Sequence, residues 1–416
     1  MLNACSLFGI IPGLLLKCLN PKKSAILGGL LVVAAQMATA IMVSSEHEKI
    51  KDNSAYLMGA ICAAGGQGAC LVFLSCMQAL MNLQTIQSSH VIATCCVSYY
   101  LGADSFIVAL KNGLFPQTLF TNFVMSLAIA AFIFTVLNAL VITDEEDASG
   151  FFGKAEALTK GIIYKKTNYA HLAILAIYTT LLMMLHFMDV AKSQGAAITL
   201  TILVVANLLV PIALIWLLDG DRIKQLVGEP SDIEKKLSNK GADLEFGEAA
   251  VRVDFWYSAI CSCIVIGCSR LFDENAAVLG LNDDARQEMI EDSFNVFEVL
   301  GAFGIGLVLT LFRGTFRPSL MVLLCAIIGC AGQMGMMYPD AVGFDAMKIA
   351  VQCSAFAEGG TLVALASLVH EEYGTENFGT LYGTFLTFGA IGLFALDEIF
   401  FPNVLSWYGE EVPKNS

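Results

Sequence analysis

Few side chains of this sequence are placed to do chemistry, and each stands where a charge is expensive. Glu358 lies near the middle of an apolar stretch, 343–370, in the string Ala357-Glu358-Gly359-Gly360. An ionisable group at the centre of a bilayer costs about 2.5–3.5 kcal/mol or more, so it either serves a function or is neutralised by a structural partner. A carboxyl at that depth can carry a proton across, and its small neighbours let a second helix approach or the helix kink. Arg270 is the only arginine deep in a candidate helix, and Asp273, Glu274 and Asn275 follow it. If that helix runs on to Gly280, Arg270 lines a pore and its guanidinium can pair with a solute carboxylate. If it stops at Phe272, Arg270 is a snorkelling side chain at the interface.

Further candidates are weaker. Asp104, in Tyr99-Tyr100-Leu101-Gly102-Ala103-Asp104, sits in the stretch 86–111 about two turns from Lys111. It is either part of a solute path with Tyr99 or an outer-end acid paired with a cation. Gln67, beside Gly65, Gly66 and Gly68, occupies 54–82 much as Glu358 occupies its own stretch. Glu298, one turn into a stretch that begins near Phe294, is expected to face outer water. His171 and His186 share one stretch without ligand spacing, so no metal is expected, and no Gly-rich pattern calls for a cofactor. Paired catalytic groups with usable spacing are missing, so an enzyme is not expected.

These residues are positioned by helices in lipid. The sequence is 56% hydrophobic and 14% charged over 416 residues, against about 25% charged in soluble domains. A bilayer core about 30 Å thick takes roughly 20 apolar residues as a helix. Runs of that kind fall at 2–19, 23–44, 54–82, 86–111, 116–143, 167–188, 195–218, 253–272, 294–312, 316–338, 343–370 and 377–401. They are too long for barrel strands and do not alternate, so the fold is all-α and multi-pass, with about 12 transmembrane helices. A net charge of −14 without a basic stripe excludes nucleic acid as a partner. The 13 cysteines lie almost entirely in apolar runs and read as packing residues. The first run has no charged leader or cleavage site ahead of it and is expected to be retained. If the turn at 19–23 is cytoplasmic, most of the 23 Lys and Arg fall on that side, as the positive-inside rule requires. Both chain ends then lie outside the cytoplasm. The loops 144–166 and 219–252 read as solvated connectors, and the acidic stretch 273–292 as a short cap on the opposite face.

The string Val369-His370-Glu371-Glu372-Tyr373-Gly374-Thr375-Glu376-Asn377-Phe378-Gly379-Thr380-Leu381-Tyr382-Gly383 resembles the loop between the tenth and eleventh helices of nodulin-like major facilitator transporters. Arg252-Val253-Asp254-Phe255-Trp256, with Gly267, Asn275 and Leu279-Gly280, is similar to that family's seventh helix. Gly65-Gly66-Gln67-Gly68 and Leu101-Gly102 resemble its fourth and fifth helices. On that family's order the first run corresponds to the second core helix and the last to the eleventh. The resemblance then implies that the first and twelfth core helices are absent, and that 167–188 and 195–218 are an inserted pair. It implies three regions: an N-terminal helical bundle over 1–143, two extra helices with cytoplasmic connectors over 144–252, and a C-terminal bundle over 253–416. The superfamily's loop signature keeps its glycine and basic residues but not its acid: Gly13-Leu14-Leu15-Leu16-Lys17 in the first half, Gly306 to Thr310 in the second.

The expectation is a secondary transporter of a small solute, an organic anion or similar metabolite, working by alternating access with proton coupling through Glu358. Gln67, Tyr99, Asp104, Arg270, Asn275 and Glu358 are the expected substrate contacts. The alternatives are a non-transporting receptor or scaffold on a transporter body, and a truncated, inactive transporter. The membrane in question is not legible.

Overall fold

A helix satisfies its own backbone groups, which lets an apolar segment enter lipid alone. The computed structural model describes residues 8–44, 54–82, 86–111, 115, 117–141, 162–187, 195, 198, 199, 202, 243–274, 284–312, 315–336 and 339–400. Every element among them is a helix. The first, α1 (Ile10–Ser44), is broken at Asn20, whose φ of 64° and ψ of 157° are not helical. Pro21 follows, and a proline both lacks the backbone donor and collides with the preceding turn. The break divides the expected runs 2–19 and 23–44.

Then come α2 (Ser54–Asn82), α3 (Ile86–Leu101), α4 (Ala103–Ala109), α5 (Phe120–Val141) and α6 (Ile162–Phe187). The second half has α7 (Phe246–Val251), α8 (Val253–Glu274), α9 (Asp284–Leu311), α10 (Pro318–Met336), α11 (Pro339–Leu368) and α12 (Phe378–Phe394). Wider π turns continue α11 over Val369–Tyr373 and α12 over Ala395–Phe400. Seven described helices are long and apolar enough to cross a membrane, and His171–Met183 and Pro318–Met334 are shorter apolar helices. Eleven of the expected runs thus coincide with helical segments, and 195–218 lies almost wholly outside the described residues. The protein is an integral, multi-pass membrane protein.

α1 packs on α2 and α5, α11 on α9 and α10, and α12 on α8. The early and late helices meet where α3 lies against α9 and α11, and where α1 lies against α12. α6 touches both α3 and α9, with the Tyr178 hydroxyl donating to the Gly102 carbonyl at 3.0 Å. Large apolar side chains such as Ile129, Phe132 and Ile133 on α5 and Ile260 and Ile264 on α8 point outward, as a lipid-facing surface requires. Small residues let backbones approach at the crossings. A Cβ added to Gly28 would fall 2.7 Å from the Gly68 carbonyl oxygen, so α1 and α2 touch main chain to main chain. Gly332 of α10 is in the same position against Ala350 and Ser354 of α11, so it is a packing residue.

Candidate functional site

α9 and α11 cross with no side chain between them. A Cβ on Gly359 would collide with the Glu298 carbonyl, and one on Gly301 with the Phe356 carbonyl. This crossing brings Glu298 of α9 beside Glu358 of α11, and α8 adds Arg270 between them. The Arg270 Nε donates to Glu358 Oε1 at 2.6 Å and Nη2 donates to Glu298 Oε1 at 2.5 Å. Nη1 faces Asp273 at 3.6 Å, one turn along α8 on the same side of the helix. The Phe294 ring lies 5.4 Å from the guanidinium carbon, within cation–π range.

Exposure is graded across the cluster. Glu358 and Glu298 are 0% and 2% exposed, Arg270 is 12% and Asp273 is 17%. The open side of the group is therefore that of Arg270 and Asp273, and the two glutamates are closed off. Three carboxylates share one guanidinium, and buried charge is tolerated only when it is paired. The second oxygen of Glu358 and the hydroxyl of neighbouring Ser269 are both buried without a well-aligned hydrogen-bond partner. An arrangement with surplus carboxylate and unused acceptor oxygen can hold a proton on the Glu298–Glu358 pair.

Of the six residues singled out from the sequence, this cluster joins Arg270 and Glu358. One of the two readings of Arg270 drops out, and the expectation for Glu298 needs correction. Arg270 is held by two buried carboxylates instead of snorkelling at an interface, because α8 continues past Phe272 to Glu274. Glu298 does not face outer water: α9 begins at Asp284, ten residues before the apolar run, so Glu298 sits in mid-helix and is buried. Gln67 lies on α2 and its Nε2 donates to the Phe8 carbonyl at 3.1 Å. Tyr99 lies on α3 with its ring 5.7 Å from that of Tyr178. Asp104 is the second residue of α4, though its side chain lies outside the described residues, as does Asn275 altogether. Lys111, near Asp104, donates to the Phe115 carbonyl.

A second set of polar contacts closes the seam between early and late helices at the end carrying Lys22 and Lys23. His90 of α3, almost fully buried, pairs with Glu371 at 3.0 Å. Gln78 donates to the Glu376 carbonyl, the Thr380 hydroxyl to the Gly13 carbonyl, and the Ile10 amide to Thr387 Oγ1. A Cβ on Gly9 or Gly383 would run into the other's main chain and one on Gly13 into the Gly379 carbonyl, whereas one on Gly379 would meet the Leu16 side chain of α1. The 369–377 turn is strapped from the other side: Asp243 accepts from the Thr375 and Glu376 amides, and Leu244 N–H donates to the Tyr373 carbonyl. Arg252 grips Asp254 with two hydrogen bonds, sits 3.7 Å from Glu372 and covers the Tyr373 ring. Burial opposes the Arg252 charge, but the Asp254 hydrogen bonds and charge outweigh it and hold the guanidinium above its ordinary value. Lys17 and Thr310 take no part in these contacts.

No protein-family model and no curated protein matches the sequence. Solved structures do. The proton:xylose symporter XylE of the major facilitator superfamily, bound to 6-bromo-6-deoxy-D-glucose, is similar at a TM-score of 0.54 and 15% identity. The match covers 98% of this chain and 78% of that one. The E. coli fucose:proton symporter FucP gives a TM-score of 0.47 at 16% identity, over 98% and 84% of the two chains. The chain is thus an all-α, multi-pass protein with the major facilitator fold.

Proposed function

We propose that this protein is a secondary transporter of the nodulin-like branch of the superfamily. It moves a small solute by alternating access of the bundles 1–143 and 253–416. Inward proton movement is the coupling, carried by Glu298 and Glu358 as a pair. The observation that carries this reading is a single guanidinium shared by two carboxyls that are almost wholly buried in the midst of membrane helices. Such a group is unstable in lipid unless its net charge is adjusted, and a proton is the simplest adjustment available. Protonation frees Arg270 from one partner and so changes how α8, α9 and α11 hold together, which ties charge to conformation. Gln67, Tyr99, Asp104 and Asn275 are then contacts for the solute from the surrounding helices.

The second reading, a receptor or scaffold on a transporter body, is favoured by Lys17, which stands where the superfamily's first loop signature has an acid. The two readings separate in proteoliposomes. Under an inward proton gradient the wild-type chain is expected to accumulate at least one member of a mixed metabolite pool, and Glu358→Gln to abolish that accumulation. A correctly folded wild-type protein that accumulates nothing supports the receptor.

A further inference from the structure

We infer that the solute accepted at this site is neutral or cationic and not an organic anion, an inference that rests on the transport reading above. The sequence invites the opposite view, since one arginine deep in a cavity helix is a ready partner for a carboxylate. The geometry shows that this arginine is already engaged. Nε, Nη1 and Nη2 each face a carboxylate of the protein itself, from Glu358, Asp273 and Glu298. A guanidinium recognises a carboxylate bidentately through neighbouring N–H groups, and here two of the three nitrogens are hydrogen-bonded to protein glutamates while the third faces Asp273 at ion-pair distance. One face of the plane is also covered by Phe294.

An entering anion would have to displace an unprotonated Glu298 or Glu358, or take the nitrogen that a protonated one releases while Asp273 and the other glutamate still face the guanidinium. The displaced carboxylate, 2% or 0% exposed, would be left in an apolar interior with neither water nor a cation. Among the described residues of these helices, Arg286 on α9 lies twelve residues before Glu298, about 18 Å along the axis, over the Phe344 ring. Lys348 shares α11 with Glu358 but lies ten residues earlier, about 15 Å along the axis. The more exposed part of the cluster is Arg270 together with Asp273, and the four side chains together have more acid than base even with one proton aboard. The field that meets a solute is therefore negative, which attracts cations, tolerates neutral polar molecules and repels anions.

The test uses the full chain in proteoliposomes with an inward proton gradient and an equimolar pool of neutral sugars and polyols, organic cations such as choline, and mono- and dicarboxylates such as pyruvate and succinate. Internal contents are read by mass spectrometry. Accumulation of neutral or cationic members, with every carboxylate at least tenfold lower, is the expected result. Gradient-driven accumulation of a carboxylate that is lost in Glu358→Gln would overturn this inference and leave proton coupling intact. Accumulation of nothing overturns both. A second arm uses Glu298→Gln, which withdraws one carboxylate from Arg270: downhill entry of labelled pyruvate is expected to rise at least tenfold over wild type, and an unchanged rate overturns the assignment of selectivity to Arg270.

Discussion

Arg270→Gln is the sharpest single perturbation of the cluster. It removes the one positive charge from beside Glu298 and Glu358, which at 2% and 0% exposure cannot turn to water instead. Removing one partner of a buried ion pair destabilises by about 3–5 kcal/mol. At about 1.4 kcal/mol per factor of ten, that is roughly two to three and a half decades in the folding equilibrium. Arg252→Gln is the internal control, because its pair with Asp254 is 39% and 41% exposed and is worth about 0–1 kcal/mol. The assay is thermal unfolding in detergent with a thiol-reactive dye, since Cys70 and Cys325 are buried and become reactive on unfolding. Arg270→Gln is expected to lower the Tm by on the order of 10 °C and Arg252→Gln by no more than about 2 °C. Adding Glu298→Gln and Glu358→Gln to Arg270→Gln should recover most of the loss, because it removes the uncompensated carboxylates as well. An Arg270→Gln protein that melts with the wild type refutes the idea that these three charges hold one another.

Glu371→Gln leaves His90 without its acid, so the seam between α3 and the 369–377 turn should loosen. Spin labels at Lys23 and Glu376 are expected to report a larger population of separated distances than in the wild type. Gly374 has φ of +87° and its missing Cβ would run into Asp243, so Gly374→Ala should destabilise by about 1–3 kcal/mol by the same melting assay. Asp243→Ala removes the acceptor of two amides and is expected to cost about 1 kcal/mol, with little effect beyond that when combined with Gly374→Ala. Gly306→Leu puts a side chain against Thr94 at the α3–α9 contact and should abolish gradient-driven uptake while the protein still inserts in the membrane.

The helices and their order were legible because apolar length is a one-dimensional property. The break at Asn20-Pro21 was visible as a turn with two lysines, and Glu358 and Arg270 stood out because ionisable residues in apolar runs are conspicuous. Glu298 was missed for a specific reason. Its apolar run starts at Phe294, after Glu288, Glu291 and Asp292, and hydropathy alone placed the helix start there. The helix in fact begins at Asp284, since a helix can project beyond an apolar layer without losing its hydrogen bonds, and this moved Glu298 from the rim to the interior. The glycines Gly301 and Gly359 carried the missing signal, because they mark where α9 and α11 cross, but which helices meet there is set by tertiary packing. The pairing of His90 with Glu371, residues far apart along the chain, was likewise beyond any local pattern.

The seam between α1 and α12 is built around Gly9, Gly13 and Gly383, each of which rests on main chain of the facing segment. A contact of that kind freezes no rotamers when it forms and releases none when it parts, because glycine has no side-chain torsions to lose. Bringing these two helices together is therefore nearly free of side-chain entropy, and the temperature dependence of opening and closing along this line is set by solvent and by the polar links flanking it. The same three positions have no tolerance for drift: any larger residue there is a wedge, whereas the lipid-facing residues beside them can change freely.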